Sequence, residues 1–326
     1  MNVLISAAGR RVSLVKFFKK ELLRIFKEEG KVFTTDLNPE LSSACQLSDK
    51  SFKVGSFRDE NYIDHLLTIC EENGVNIIIP TLDTELLLLA RNRDEFEKIG
   101  VLIILSDEAI IAKCRNKHLT RELFSSFGIE SPTSIDPNNP QFPLFVKPVD
   151  GSSSSDLHLI KNEEDFFEPL KNVKKYVHQA YMDPKTYDEY TVDMYYDKGG
   201  FLKCLVPRLR ITTRSGEINK GLTLDNEVVP FLKERMMHVD GFRGCITLQL
   251  FLSKEDKSIF GIEINPRFGG GYPLSYLAGA NYIDYIIREY VLFDTIEFYD
   301  QWESNLLLLR HDEEMIVSDY NGKYSK

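Results

Sequence analysis

The chain has 326 residues, 43% of them apolar and 28% charged, with 40 Lys and Arg against 50 Asp and Glu for a formal net charge of −10. A chain this long exceeds what one hydrophobic core usually supports, so two or three domains are expected, and its negative charge argues against a nucleic-acid partner or an anionic membrane surface. No apolar run approaches the roughly 20 residues that would cross a bilayer, and the N-terminus enters Val3, Leu4 and Ile5 without a charged leader, which predicts a soluble, unprocessed, cytoplasmic protein. The five cysteines (Cys45, Cys70, Cys114, Cys204, Cys245) are odd in number and never form a CxxC pair. The six histidines never pair at i, i+4. Neither a disulfide framework nor a metal held through nitrogen or sulfur is expected; the thiols read as reduced and mostly buried.

In chain order, β-branched runs alternate with amphipathic stretches. Val3 to Ser6, Lys31 to Thr35, Ile77 to Pro80 and Val101 to Leu105 read as strands, and Val12 to Glu29, Tyr62 to Asn73 and Thr84 to Ile99 as helices. This βαβ order predicts a parallel sheet up to Leu105, since parallel strands need crossover helices. Glu108 to Cys114 and Lys117 to Phe127 read as helices, the second ending at Gly128 as a C-cap. A connector carrying Pro137, Pro140 and Pro143 leads into a strand at Leu144 to Lys147, stopped by Pro148. Beyond it, Tyr190 to Tyr196, Phe201 to Arg210, Cys245 to Ser253 and Ser258 to Ile264 read as antiparallel strands joined by short polar links. Helices are expected at Glu227 to Asp240 and Tyr282 to Phe293. The fold class is therefore α/β and α+β. A parallel Rossmann-like α/β domain covers 1–112, followed by two lobes with mainly antiparallel sheets at 113–185 and 186–326.

The densest chemistry lies at Gln249 and at Glu263-Ile264-Asn265-Pro266-Arg267. Side chains alternate along a strand, so Glu263 and Asn265 share a face and offer hard oxygen ligands, the donors Mg²⁺ takes alongside water and phosphate. Gln249, on the neighbouring hairpin strand, flanks the metal or a phosphate. Arg267 stands where a guanidinium fork holds phosphate or carboxylate oxygens. A solvated hairpin edge is the alternative, although Phe260, Ile262 and Ile264 mark a packed strand. Phe268-Gly269-Gly270-Gly271-Tyr272-Pro273 follows, whose glycines permit positive φ and close backbone approach, with Pro273 fit for a first helical turn.

Upstream, Lys147 ends a strand and is followed by Gly151, Ser152, Ser153, Ser154 and Ser155, a loop able to fold over phosphates while the lysine meets their charge. A solvated lysine and a serine linker are the alternative. Lys117 opens a helix, a poor place for a cation unless an anion lies nearby. The stretch from Val177 to Met182 can floor an adenine pocket, with backbone groups at Ala180 and Met182 reading the base edge and Glu189 available for ribose; core packing accounts for its apolar members equally well. Arg208, Arg210, Arg214 and Lys220 gather positive charge in one hairpin, and Arg208 and Arg210 share a face able to meet one γ-phosphate or substrate carboxylate; a charged edge strand is the alternative. The loop Ser6-Ala7-Ala8-Gly9-Arg10-Arg11 has one glycine, so the dinucleotide fingerprint fails. Asp83 or Thr84 is expected to cap the helix after Ile77 to Pro80.

The order of these pieces resembles the ATP-grasp superfamily, and most closely the branch typified by the large chain of carbamoyl phosphate synthetase. The resemblance covers about residues 110 to 295, with the parallel unit ahead of it resembling a pre-ATP-grasp domain. It implies ATP as the nucleotide and Mg²⁺, or Mn²⁺ in its place, as the metal. By that resemblance Lys117 and Lys147 contact the nucleotide phosphates and Gly151 to Ser155 cover them. Gln179, Ala180, Tyr181 and Met182 hold adenine, and Glu189 contacts the nucleoside. Gln249, Glu263 and Asn265 serve the metal, and Arg267 faces the transferred phosphate, with Arg208, Arg210 and Lys220 as further cationic groups of the reaction. The serine-rich loop and Ala180, where an acidic residue is frequent, depart from the family pattern. The chain is also shorter than a carbamoyl phosphate synthetase large chain, whose activity is not assigned to it.

The activity implied is an ATP-dependent ligase that activates a small carboxylate, of the amino-acid class, as an acyl phosphate for attack by an amine, with a homodimer as the default assembly. Two other readings are a nucleotide-binding module that senses ATP without turnover, and a Rossmann-type oxidoreductase.

Overall fold

The computed structural model describes residues 1–150, 156–214, 216–318, 320 and 322. Gly151, Ser152, Ser153, Ser154 and Ser155 of the expected phosphate-covering loop lie outside the described residues. The chain divides into two compact units, one formed by residues 1–105 with the described residues from 309 onward, the other by 106–308.

The first unit follows the βαβ order: β1 (Asn2–Ser6), α1 (Val12–Phe26), β2 (Lys31–Asp36), α2 (Ser43–Leu47), β3 (Lys50–Lys53), α3 (Tyr62–Asn73), β4 (Ile77–Pro80), α4 (Asp83–Arg91), α5 (Arg93–Lys98) and β5 (Leu102–Ile103). Its sheet is parallel in the order β3-β2-β1-β4-β5. Leu4, Ile5, Ile78 and Ile79 are buried to within 1% of completely, as continuous apolar runs in a parallel sheet must be, and Phe18 and Leu22 of α1 join them in the core. The helix expected over 84–99 breaks at Asn92, whose side-chain amide donates to the Leu88 carbonyl at 2.8 Å and competes with the helical ladder. Leu82 holds the N-cap of α4, so neither Asp83 nor Thr84 caps it.

The second unit opens with α6 (Glu108–Arg115) and α7 (Lys117–Ser126). The domain break falls after Leu105 rather than after residue 112 because α6 is tied into this unit: Asp107, just ahead of it, binds Arg243 through Nε at 3.0 Å and Nη2 at 3.1 Å. β6 (Leu144–Pro148), β7 (His158–Ile160) and β8 (Tyr176–Ala180) form an antiparallel sheet in the order β7-β6-β8 over a small core of Leu144, Val146, Ile160, Phe166 and Leu170. β9 (Tyr187–Tyr196), β10 (Leu202–Arg214), β11 (Glu217–Thr223), α8 (Val228–Met236), β12 (Gly244–Ser253), β13 (Ile259–Asn265), α9 (Tyr272–Leu277), α10 (Tyr282–Tyr290) and β14 (Leu307–Leu309) complete it. Its large sheet has the order β13-β12-β9-β10-β11-β14. α8 and α10 stop short of the expected ends, the chain beyond α10 turning at Phe293 with φ +59°.

Register makes one face of this sheet polar. Opposite residues of antiparallel strands share a face, and Glu263 pairs with Gln249, Gln249 with Thr191, Thr191 with Arg208, and Arg208 with Thr223. A parallel row sets Asn265 beside Thr247 and Thr247 beside Asp193. α7 docks on β13 at Gly261, where a Cβ would lie 2.5 Å from the Phe124 ring, so only glycine admits the helix that carries Lys117. Among the described residues no helix is long and apolar enough to cross a membrane, and all five cysteines are buried with no disulfide between them.

Candidate active site

The site is built from α7, β6 and the polar face of the large sheet, all in the second unit. Lys117 is the first residue of α7, and its backbone N–H donates to the Val149 carbonyl at 3.0 Å, which fixes the helix start to the chain leaving β6. Asn116 caps α7, its side-chain oxygen accepting from the backbone N–H groups of His118 and Leu119. Lys147, in β6, is 6% exposed. Burial pulls its ammonium down to a pKa of about 8; the Lys117 and Arg121 charges push the same way, while the Glu263 and Glu189 carboxylates oppose them. Those four charges therefore lie near enough to Lys147 to act on it. Arg121 is one helical turn past Lys117 and shares its face, the signal that could have found it; its Nη1 donates to the Pro132 carbonyl at 2.9 Å.

Opposite this cationic group stand the oxygen donors. Gln249 and Glu263 are directly paired across β12 and β13, and Asn265 follows Glu263 on the same side. Among the described residues no hydrogen-bond donor reaches the Glu263 carboxylate, and no cluster of three or more His, Cys, Asp or Glu forms anywhere. One carboxylate with two amide oxygens is a hard but weakly charged set, which fits a Mg²⁺ that brings its own water and phosphate ligands. Glu189 is raised above the usual carboxylate range, mainly by burial and by the Glu263 charge, against the pull of Arg210. Arg210 Nε lies 3.1 Å from its Oε1, and the Arg210 Nη groups donate to Thr191 Oγ1 at 3.2 Å and the Gly216 carbonyl at 3.0 Å.

The arginines expected to converge on one phosphate thus each face an acid. Arg208 is 1% exposed and is held by Asp193, with 2.9 Å from Nη2 to Oδ1 and 2.9 Å from Nε to Oδ2. Asp193 was invisible as a site residue although it sits at the alternate position after Glu189 and Thr191. Lys220 is exposed, opposite Thr212 on β11, and forms no ion pair with a described residue. Arg267 is half-buried, its N–H bonded to the Asn265 carbonyl at 2.8 Å and its Nη1 to the Phe268 carbonyl at 3.1 Å. None of Gly269, Gly270 and Gly271 takes a positive φ. They serve close approach alone: a Cβ on Gly269 would stand 2.8 Å from Thr247 Oγ1, one on Gly270 would strike the Glu217 carboxylate, and one on Gly271 would strike Arg208 Nη1.

On the adenine strand, Gln179 is buried and Ala180 gives its N–H to the Thr133 carbonyl at 2.8 Å, so that amide cannot read a base edge as expected. Tyr181 is half-buried, its N–H directed to the Pro143 carbonyl at 3.4 Å; Met182 is 9% exposed. In the first unit the Gly9 N–H donates to Asp36 Oδ2 at 3.1 Å, and Ser42 Oγ donates to the Gly9 carbonyl at 2.8 Å. The loop amide a dinucleotide phosphate would need is given to a carboxylate instead.

Comparisons with known proteins match these two regions separately. Residues 3–104 match the family of PylC-like N-terminal domains, and residues 179–300 match the family described as ATP-grasp in the biosynthetic pathway with Ter operon. The chain is 29% identical over 153 residues to the D-alanine–D-alanine ligase of Fusobacterium nucleatum, a match covering 43% of this chain and 53% of that ligase, so it spans about half the length of that relative. By structure it is similar to the biotin carboxylase domain of the Hydrogenobacter thermophilus 2-oxoglutarate carboxylase, crystallised with MgADP and bicarbonate (TM-score 0.69, 14% identity, 94% of this chain and 73% of that one). It is also similar to Staphylococcus aureus N5-carboxyaminoimidazole synthetase (TM-score 0.65, 17% identity, 88% and 76%) and to the Bacillus licheniformis L-amino acid ligase (TM-score 0.64, 17% identity, 88% and 73%).

Proposed function

We propose that this chain, which belongs to the ATP-grasp superfamily, is an ATP- and Mg²⁺-dependent ligase that activates a small carboxylate as an acyl phosphate for capture by an amine. The observation that carries the reading is Lys147. A buried ammonium, depressed to a pKa of about 8 and placed with Lys117 and Arg121 against an oxygen ladder, is costly unless an anion arrives to meet it. A triphosphate is that anion.

In this reading Lys117 and Lys147 hold the nucleotide phosphates as point charges, and Glu189 takes the nucleoside hydroxyls, with Gln179, Tyr181 and Met182 along the base. Gln249, Glu263 and Asn265 hold Mg²⁺, which when bound neutralises charge on the phosphate oxygens. Arg267 and Arg210 stabilise charge on the transferred group, with Lys220 at the exposed edge. A carboxylate oxygen of the substrate attacks the γ-phosphorus and the bond to ADP breaks. The amine nitrogen then attacks the acyl carbon, phosphate leaves, and the nitrogen loses a proton. The protein forms no covalent bond; positioning and charge do the chemistry. The carbamoyl-phosphate-synthetase-like arrangement of these residues, homodimeric assembly and cytoplasmic residence belong to the same proposal.

The test is ADP release from purified protein with Mg²⁺-ATP and pools of small carboxylates and amines, followed by mass spectrometry of the product. Carboxylate-dependent ADP release that Glu263→Gln abolishes supports the reading. Tight Mg²⁺-ATP binding with no carboxylate-dependent turnover overturns it in favour of a sensor.

A further inference from the structure

Asp193 and Arg208, 0% and 1% exposed, lie where the mechanism above does not use them. The Asp193 side chain is 0% exposed and gathers four groups: Arg208 through Nη2 and Nε at 2.9 Å each, Ser275 Oγ donating at 2.6 Å, and Thr247 Oγ1 at 3.3 Å. The Tyr282 hydroxyl donates to the Asp193 backbone carbonyl at 2.8 Å. Replacing a buried ion pair by apolar side chains of similar volume is often neutral or stabilising, so stability alone does not account for this one.

What the pair touches does. Thr247 Oγ1 lies 3.0 Å from the Arg267 carbonyl and 3.3 Å from Asp193 Oδ1, so one hydroxyl links the pair to the backbone of Arg267. Gly269 packs against Thr247 and Asp193, and Gly271 against Arg208 Nη1, each so tightly that no Cβ fits. Ser275 carries the same carboxylate into α9, the helix that follows the turn. Residues 267 to 275 are thereby seated on Asp193 and Arg208 at successive points, immediately after the metal-side residues Glu263 and Asn265.

We propose that the Asp193–Arg208 pair is a positioning device for Arg267. It holds the 267–271 turn so that the Arg267 guanidinium meets the transferred phosphoryl group, and neither member touches substrate. The inference rests on the ligase reading for Arg267, and it moves Arg208 from the substrate-facing role that its strand position suggests.

The experiment is a kinetic double-mutant cycle on the full chain, with Asp193→Asn, Arg267→Ala and the combination, read as kcat and KM for ATP. Misplacement of about 1 Å can cost about 100-fold. Asp193→Asn should therefore lower kcat by about 10- to 100-fold with KM for ATP within about twofold, and the combined variant should be no slower than Arg267→Ala alone. Multiplicative losses, or an unchanged kcat in Asp193→Asn, overturn the proposal. Against a folding defect, the paired apolar variant Asp193→Leu/Arg208→Met should melt near or above the wild type and still be slow; wild-type kcat in that variant overturns the proposal. Amide hydrogen exchange without nucleotide separates this proposal from the ligase reading. If the wild type never turns over, the ligase reading has failed, yet faster exchange at 267–272 in Asp193→Asn still supports positioning, and unchanged exchange there overturns it.

Discussion

Lys147→Met should pull stability and nucleotide affinity in opposite directions. In the nucleotide-free protein the ammonium is 6% exposed and its pKa falls from 10.5 to about 8. At 1.36 kcal/mol per unit that shift makes the charged form roughly 3 kcal/mol less favourable in the native state than in water. The unfolded chain binds this proton more readily than the native one, so the deficit is fully present below about pH 8 and fades as pH rises toward 10.5. Methionine has nearly the same length and no charge. The variant should gain on the order of 3 kcal/mol at pH 7, several degrees in the melting transition of a unit of about 200 residues, and the gain should shrink between pH 8 and 10. With Mg²⁺-ATP at 100 times the wild-type Kd the advantage narrows: the wild type is stabilised by about 2.7 kcal/mol and a variant binding tenfold more weakly by only about 1.4 kcal/mol, which leaves roughly half of the variant's lead. Circular-dichroism melts from pH 7 to 10, with and without Mg²⁺-ATP, read both halves. A variant that melts below the wild type without nucleotide at pH 7, or an advantage independent of pH, refutes the reasoning.

Glu263→Gln should remove the part of ATP-induced thermal stabilisation that depends on Mg²⁺ while leaving metal-free ADP binding within about twofold by calorimetry; an unchanged Mg²⁺ dependence would separate Glu263 from the metal. Gly271→Ala drives a methyl into Arg208 Nη1 and Ile218, and should lower the urea midpoint by an amount corresponding to roughly 1–3 kcal/mol; an unchanged midpoint would show that the turn yields freely. In the first unit, Tyr62→Phe removes the hydroxyl that donates to Glu85 at 2.7 Å and should cost roughly 1–3 kcal/mol by chemical denaturation. Burial raises the Glu85 carboxyl above its usual range, so the native state binds more protons than the unfolded chain and stability falls as pH rises from the ordinary carboxylate value through the raised one. Glu85→Gln should flatten that dependence in pH-stepped denaturation, and a slope equal to the wild type's would place it elsewhere.

Period and spacing carried much of this architecture. The continuous apolar strands Val3 to Ser6 and Ile77 to Pro80, set in βαβ order, point to a buried parallel sheet, and the alternation through Glu263 and Asn265 puts both on one face whatever surrounds them. Shifted helix ends come from single side chains: Asn92 breaks α4 from α5 by bonding back to Leu88, which a helical period cannot anticipate. At the site, the missing information was long-range register. Asp193 and Arg208 are 15 residues apart, and only the β9–β10 pairing shows that the arginine meets an acid before it meets any ligand. The glycines were legible as close approach, but not as seats for Thr247, Glu217 and Arg208, which come from two other strands and the far side of a hairpin.

The polar face also explains why two similar acid–arginine pairs do different work. Glu189, Thr191 and Asp193 alternate along one strand, and Arg208 and Arg210 alternate along its neighbour, so the sheet sets two pairs side by side. Tyr195, on the same face beyond Asp193, packs on Tyr282 of α10 with ring centroids 5.6 Å apart, and Ser275 of α9 closes over Asp193. The covering helices therefore seal the Asp193 end, where Arg208 is 1% exposed, and leave the Glu189 end, whose side chain keeps 34% of its exposure, facing Lys147. A sealed pair can only hold backbone in place, whereas a half-open pair beside an ammonium can exchange its arginine for a ligand's charge. Position under α9 and α10, more than residue type, divides this ladder into an anchor and a site.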